Sequence, residues 1–215
     1  MTRKRVAVLI SGRGSNMSAL IEACKDPAYP AEIVAVLSNK PDAAGLDVAR
    51  SHGIEAIAVP QKDYASRAAH EEALNAELAR IAPDVICLAG YMRLMSADFV
   101  AKWVGRIINI HPSLLPLFKG LDSHARVLES GMRVHGCTVH FVTAEMDGGP
   151  IIAQGVVPVM PGDTEEMLTA RVLTVEHKLY PLALKLVAEG KVHMTDGRIV
   201  YSGLTEDDRT SFGAF

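Results

Sequence analysis

Cysteine is scarce in this chain, with three in 215 residues, at Cys24, Cys87 and Cys137. An odd, widely spaced set with no C-x-x-C pair excludes a disulfide framework and a zinc site, and it fits a reducing compartment. Cys87 falls in the apolar run 85–89 and reads as a small buried hydrophobe. An excess of one charge sign is also lacking. With 22 Lys and Arg against 25 Asp and Glu, the formal net charge is −3. No basic surplus marks a nucleic-acid binder, so the expected partner is a small molecule. Long hydrophobic runs are missing. The apolar stretch behind Arg3, Lys4 and Arg5 covers only 6–10 before a Ser-Gly turn, too short for a signal peptide, and nothing approaches membrane-spanning length. No internal repeat, low-complexity tract or linker is visible. The expectation is a soluble cytoplasmic protein with neither a membrane nor a nucleic-acid partner.

What is present is enough apolar material for a substantial core. Hydrophobic residues make up 49% of the chain and charged residues 22%, a balance that excludes intrinsic disorder. In the first half, short β-branched runs at 6–10 (VAVLI), 33–37 (IVAVL), 54–59 (IEAIAV) and 85–89 (VICLA) suit strands buried on both faces of a parallel sheet. Amphipathic stretches at 16–24, 43–52 and 66–81 alternate with them. This repetition predicts an α/β fold, an open, mostly parallel twisted sheet with helices on both faces. After residue 105 the pattern changes. A short strand at 106–110 leads into a loop holding Pro112 and Pro116. Strands at 137–142 and 151–159, with Asp147-Gly148-Gly149-Pro150 between them, predict antiparallel additions. A long helix over 164–189 opens on acidic residues, and 191–201 reads as a hairpin turning at Asp196-Gly197. Residues 206–215 read as a frayed terminus. The whole chain, 1–215, is expected to form a single domain.

Ser11-Gly12-Arg13-Gly14-Ser15-Asn16 follows the first strand and opens the first helix. Backbone N–H groups and the helix dipole favour an anion there. A dinucleotide fingerprint would place a third glycine at Met17 and an acid where Ser38-Asn39-Lys40 stands, and a Walker A loop needs Gly-Lys-Ser/Thr. A monophosphate on a small sugar fits better than NAD or ATP; the alternative is a glycine-rich turn with no ligand. The second constellation is Asn109-Ile110-His111-Pro112. Asn109 and His111 are two apart at a strand end, so they project to one side, and carboxyl ends of strands are where open α/β sheets place ligands.

These residues match a known family. NIHPSLLP at 109–116, SGRGSN at 11–16, AGYMRLMS at 89–96, HGCTVHFV at 135–142 and DGGPII at 147–152 together resemble the phosphoribosylglycinamide formyltransferases, folate-dependent enzymes of purine (IMP) synthesis. The resemblance is colinear from about residue 6 to 181. It implies a Rossmann-like formyltransferase fold and transfer of a formyl group from 10-formyltetrahydrofolate, as co-substrate and without a metal, to the amine of glycinamide ribonucleotide. It gives Asn109, His111 and Asp147 the catalytic roles. Gly14, Ser15 and Asn16 match the phosphate loop, and Glu176 a contact to the sugar. Arg67, Met92, Arg93, Leu94 and Met95, with Asn109, match the folate site, where backbone groups would bond the pterin edge and apolar side chains would wall the ring. Read without the resemblance, Met92, Leu94 and Met95 are core. One departure stands out. Many members read G-L-H-T-H where this chain has Gly120-Leu121-Asp122-Ser123-His124.

The chemistry needs these residue types. Amine attack on the formyl carbon puts negative charge on oxygen, which an Asn amide and an imidazolium can stabilise. A neighbouring carboxylate favours the imidazolium, the role the resemblance gives Asp147. His135 and His140, five apart on one strand, point to opposite faces and read as structural. The loop 143–149 is a candidate gate. Within the same chemistry the alternatives are formyltetrahydrofolate deformylase or another folate-dependent formyltransferase, such as the one acting on methionyl-tRNA. Both of these named relatives carry an additional domain for which the chain leaves no room. A dehydrogenase is disfavoured by the missing glycine and acid. A pure binding module would not need Asn109, His111 and Asp147. The expected assembly is a monomer or homodimer bound only to small molecules.

Overall fold

The computed structural model describes residues 2–206 and 208. The strands, in chain order, are β1 Lys4–Ile10, β2 Ala31–Ser38, β3 Glu55–Ala58, β4 Val85–Leu88, β5 Ile107–His111, β6 Val134–Phe141, β7 Ile151–Pro158, β8 Val192–Thr195 and β9 Arg198–Tyr201. The helices are α1 Ser15–Cys24, α2 Ala44–Ser51, α3 Arg67–Ile81, α4 Ala97–Lys102, α5 Ser123–Ser130 and α6 Glu165–Ala188. Seven strands form one sheet in the order β3-β2-β1-β4-β5-β6-β7, and β8 and β9 form a second. The chain divides inside β5 into two compact units, 1–109 and 110–215.

In the N-terminal unit every strand pairing is parallel. Residues 6–10 of β1 are wholly buried, as is the core of β2 at Ala35, Val36 and Leu37, which accounts for their continuous apolar runs. The strand order reverses at β1: the chain steps through β2 and β3 on one side, then returns to β4 on the other. The carboxyl ends of β1 and β4 thus flank a topological switch point, where open α/β sheets bind ligands. The ladder runs one residue past β4, with Ala89 N–H donating to the Leu9 carbonyl at 2.9 Å.

In the C-terminal unit β6 and β7 pair antiparallel, as expected, with a register shift between Val139 and His140. The link between them is the nine-residue-scale loop 142–150 rather than a tight turn at the glycine pair. Thr164 caps α6 through its side chain, and Arg171 clamps Asp163 at 2.6 Å, holding that carboxyl down at about 2. The hairpin β8–β9 turns at Asp196 and Gly197, both at positive φ, as a primed turn requires. Two helices went unread in the sequence. α4 is a six-residue helix started by the Ser96 cap, and α5 follows Asp122, an N-cap in the left-handed region. Both are too short for their periodicity to stand out against the neighbouring prolines and glycines. Of the terminus expected to fray, Asp208 is instead buried and paired with Lys191 at 2.8 Å. Apart from Glu206 and Asp208, the segment lies outside the described residues.

Candidate active site

The N-terminal unit builds its part of the site at the switch point. Gly14 sits at φ +74°, a conformation only glycine adopts cheaply. It caps α1, with its carbonyl accepting from Ser18 N–H at 2.9 Å. Gly12, Arg13 and Ser15 are exposed while Gly14 and Asn16 are buried, leaving an open backbone cradle at a helix start. Across the switch point, the residues of the 92–95 segment are not core. Met92 and Leu94 are 66% and 62% exposed, apolar surface that a flat ring could cover. Met92 N–H is already engaged by Ser11 Oγ at 2.8 Å, so it is not among the segment's open backbone donors.

Arg67 begins α3 and donates to Glu71 at 3.0 Å. Glu71 also accepts from Ser96 N–H at 2.9 Å and from the Ser96 hydroxyl. Burial alone would raise the Glu71 carboxyl, but the bonds from Ser96 and then Arg67 outweigh it and hold it below its ordinary value. This network fixes the far end of the 92–95 segment. Arg93 is half-buried beside it. Asn109, also half-buried, ends this unit on β5 opposite Leu88.

In the C-terminal unit, His111 is buried at the end of β5. Its Nε2 lies 3.1 Å from the Phe118 carbonyl and its Nδ1 3.5 Å from Asp147 Oδ2. Both ring nitrogens therefore face acceptors, and an imidazolium can donate to both. Asp147 is held at φ +49°, and its Oδ2 accepts from Gly120 N–H at 2.9 Å. Its loop is tightly fixed, since a Cβ on Gly149 would lie 1.8 Å from the Phe141 carbonyl. Lys119 pairs with Glu145 at 2.7 Å, joining the 117–122 and 143–149 loops a second time. Around them Leu117, Leu121 and Met146 are exposed.

Three more histidines stand near this pair. His140 Nε2 lies 3.9 Å from Asp147 Oδ1, too far for a direct bond, while its Nδ1 donates to the Phe141 carbonyl at 2.9 Å. His135 instead meets His124, Nε2 to Nδ1, at 3.1 Å, so His135 and His140 have different partners. Burial depresses all three. For His135, burial and then the neighbouring His124 and His111 push it down to about 4. The signal for His140 was its place at the end of β6, where the strand enters the Asp147 loop. Glu176 is buried on α6, close enough to Cys137 that its charge adds to burial in raising that thiol.

A family model for formyl transferases matches residues 4–184. The chain belongs to the formyl transferase family. Phosphoribosylglycinamide formyltransferase of Escherichia coli K12 is 49% identical over 189 residues, covering 88% of this chain and 89% of that protein. The crystal structure of phosphoribosylglycinamide formyltransferase from Brucella melitensis shares 55% identity with a TM-score of 0.85, covering 94% of this chain and all of the other. The trifunctional purine biosynthetic protein adenosine-3 of Bos taurus is 50% identical over 206 residues, and this formyl transferase chain spans about a fifth of its length. The seven-stranded, mostly parallel sheet is thus the fold expected of the family. Among the described residues, no helix is long and apolar enough to cross a membrane.

Proposed function

We propose that this chain transfers the formyl group of 10-formyltetrahydrofolate to the amine of glycinamide ribonucleotide. The observation that carries the reading is the buried His111, with ring nitrogens facing Phe118 O and Asp147 Oδ2 at 3.1 and 3.5 Å, in a chain of this family. The amine nitrogen forms a bond to the formyl carbon, and the carbonyl oxygen takes the negative charge. Asn109 and His111, two apart on β5, donate to that oxygen, His111 by turning the ring N–H that faces the Phe118 carbonyl over to the oxyanion. Preorganised donors of this kind are worth roughly 3 kcal/mol each in a dry site. Asp147 orients the ring from its Nδ1 side. The attacking nitrogen then gives up a proton, the carbon–nitrogen bond to the folate breaks, and the folate nitrogen takes a proton, so the sum needs no other reactant.

The remaining roles follow the same reading. Gly14, Ser15 and Asn16 hold the 5′-phosphate on α1's first N–H groups, and the open space above Gly12 suits close approach of an anion. Glu176 contacts the sugar. Arg67, Met92, Arg93, Leu94 and Met95, with Asn109, take the folate, whose ring would cover the exposed apolar side chains of Met92 and Leu94. The partners are these small molecules, the assembly is a monomer or homodimer, one domain carries the activity without a metal, and the site of action is the cytoplasm.

The test is a spectrophotometric assay with both substrates. Release of tetrahydrofolate that depends on glycinamide ribonucleotide supports the reading. Release at the same rate without the amine would mean that water takes the formyl group, and no release at all would remove the assignment.

A further inference from the structure

The segment expected to face a ring ligand has little of its own to hold it. Residues 91–95 carry no regular structure, and Met92 and Leu94 stand mostly in solvent, so packing contributes little to their position. At its far end the segment is fastened by Ser96, which caps α4 and bonds Glu71. At its near end it is fastened by Ser11. Met92 N–H donates to Ser11 Oγ at 2.8 Å, and Ser11 N–H donates to the Gly90 carbonyl at 3.2 Å. The Ser11 hydroxyl gives its one proton to Asn39 Oδ1 at 2.5 Å, and Asn39 Nδ2–H donates to Gln61 Oε1 at 3.3 Å. Ser11 and Asn39 are 5% and 4% exposed, so the bridge is screened from competing water. Ser11 is also the first residue of the 11–16 loop, whose Gly12 carbonyl accepts from Gly45 N–H at 3.0 Å.

We infer that Ser11 is a positioning residue that couples the two ligand segments, so that a phosphate held by 12–16 and a flat ring held against 92–95 each raise the affinity for the other. The inference rests on the proposed function for the identity of the two ligands. Each ligand must order a segment attached to the same hydroxyl. The bridge is already formed, so whichever ligand binds first removes the motion left in it and the second has less to remove. Linkage requires the enhancement to be equal in the two directions. Removing the hydroxyl strips Asn39 Oδ1 of its donor and Met92 N–H of its acceptor, and so releases the segments from each other.

The experiment measures by calorimetry the affinity of glycinamide ribonucleotide and of 5-formyltetrahydrofolate, a non-donating folate, each alone and with the other saturating. Amide exchange at Met92 is followed in parallel. In the unaltered chain each ligand should tighten the other at least about fivefold. Ser11→Ala should bring this below about twofold and speed exchange at Met92, and Ser11→Thr, which keeps the hydroxyl, should restore both. Should Ser11→Ala fold poorly, Ser11→Cys, with a weaker donor and acceptor of similar size, must show the same reduced coupling. Full coupling in a folded Ser11→Ala or Ser11→Cys chain overturns the inference and leaves the functional reading standing. So does an unaltered chain that binds both ligands independently. An unaltered chain that binds neither overturns both.

Discussion

The two units place different physical chemistry at their candidate sites. The N-terminal unit presents backbone N–H groups, hydroxyls, an amide and exposed methionine and leucine side chains. The C-terminal unit gathers four histidines and an aspartate, with His111, His135 and His140 buried. Neutral groups recognise shape and charge without titrating, whereas an imidazole can donate, accept and carry charge. Under the proposed function, and with Asn109 and Glu176 as the exceptions, the contrast implies a division of labour in which the first unit holds ligands and the second moves charge. Perturbing the first should then appear in affinity, and perturbing the second in turnover and pH dependence.

The largest expected effect is at His111. Replacing it with Ala should lower kcat at least a hundredfold and leave both ligand affinities within about twofold, because it removes a donor that acts only as the oxyanion forms. A steady-state and calorimetric comparison decides this. Loss of affinity with intact kcat would erase the contrast between the units.

Next in size is the acid sensitivity of the C-terminal unit. His135 has its ordinary value of 6.5 when unfolded and about 4 when folded. Between these values the unfolded chain binds the extra proton, so stability is unaffected above 6.5 and falls as the pH drops towards 4. At pH 5 this one residue should cost about 2 kcal/mol, and His124 and His140, also depressed by burial, act in the same direction. Urea unfolding at pH 7.5 and pH 5, with His135→Phe beside the unaltered chain, isolates the share due to His135. An unchanged difference between the two chains at both pH values would show that His135 accepts its proton while folded.

The features legible in the sequence are those that local chemistry dictates. β1, β2 and β4 were visible because strands buried on both faces must be continuously apolar, and the turn at 11–16 because its glycines stand between a strand and a helix. His111 stood out beside Pro112 at a strand end. The histidine cluster did not. His124 reaches His135 only because α5 forms where the sequence reads as loop, and His140 approaches Asp147 only through the 142–150 loop. The Ser11–Met92 bond joins residues far apart in the chain through the pairing of β1 with β4, and no local pattern encodes such a contact. The methionine run at 92–95 was ambiguous for a related reason. Composition alone cannot distinguish a core stripe from a surface awaiting a ligand.

A smaller change tests the charge on Asp147 apart from its shape. Asn tolerates the left-handed backbone that Asp147 occupies, and its side-chain oxygen can still accept from Gly120 N–H. Asp147→Asn should therefore keep the loop in place and lower kcat about tenfold, the low end of what a charge-assisted hydrogen bond contributes. Thermal unfolding should be unchanged at neutral pH. Full activity would reduce Asp147 to a residue that ties two loops together.

The smallest effect belongs to the first unit and sharpens the contrast from the other side. Gly14→Ala forces a Cβ into φ +74°, where it meets Met17 Cε at 3.0 Å and Gly45 Cα at 3.4 Å. The methionine tip can shift, so the cost is mainly the backbone's, about 1 kcal/mol. It should appear as a slightly lower unfolding temperature and a severalfold higher KM for glycinamide ribonucleotide, with kcat preserved. Gly12→Ala is the matched control, because its Cβ meets nothing within 4 Å. Its stability should be unaltered, and a rise in KM there would report an anion lying directly against the loop. If Gly14→Ala lowered kcat instead, with KM constant, the 11–16 loop would share in the chemistry and the division between the two would not hold.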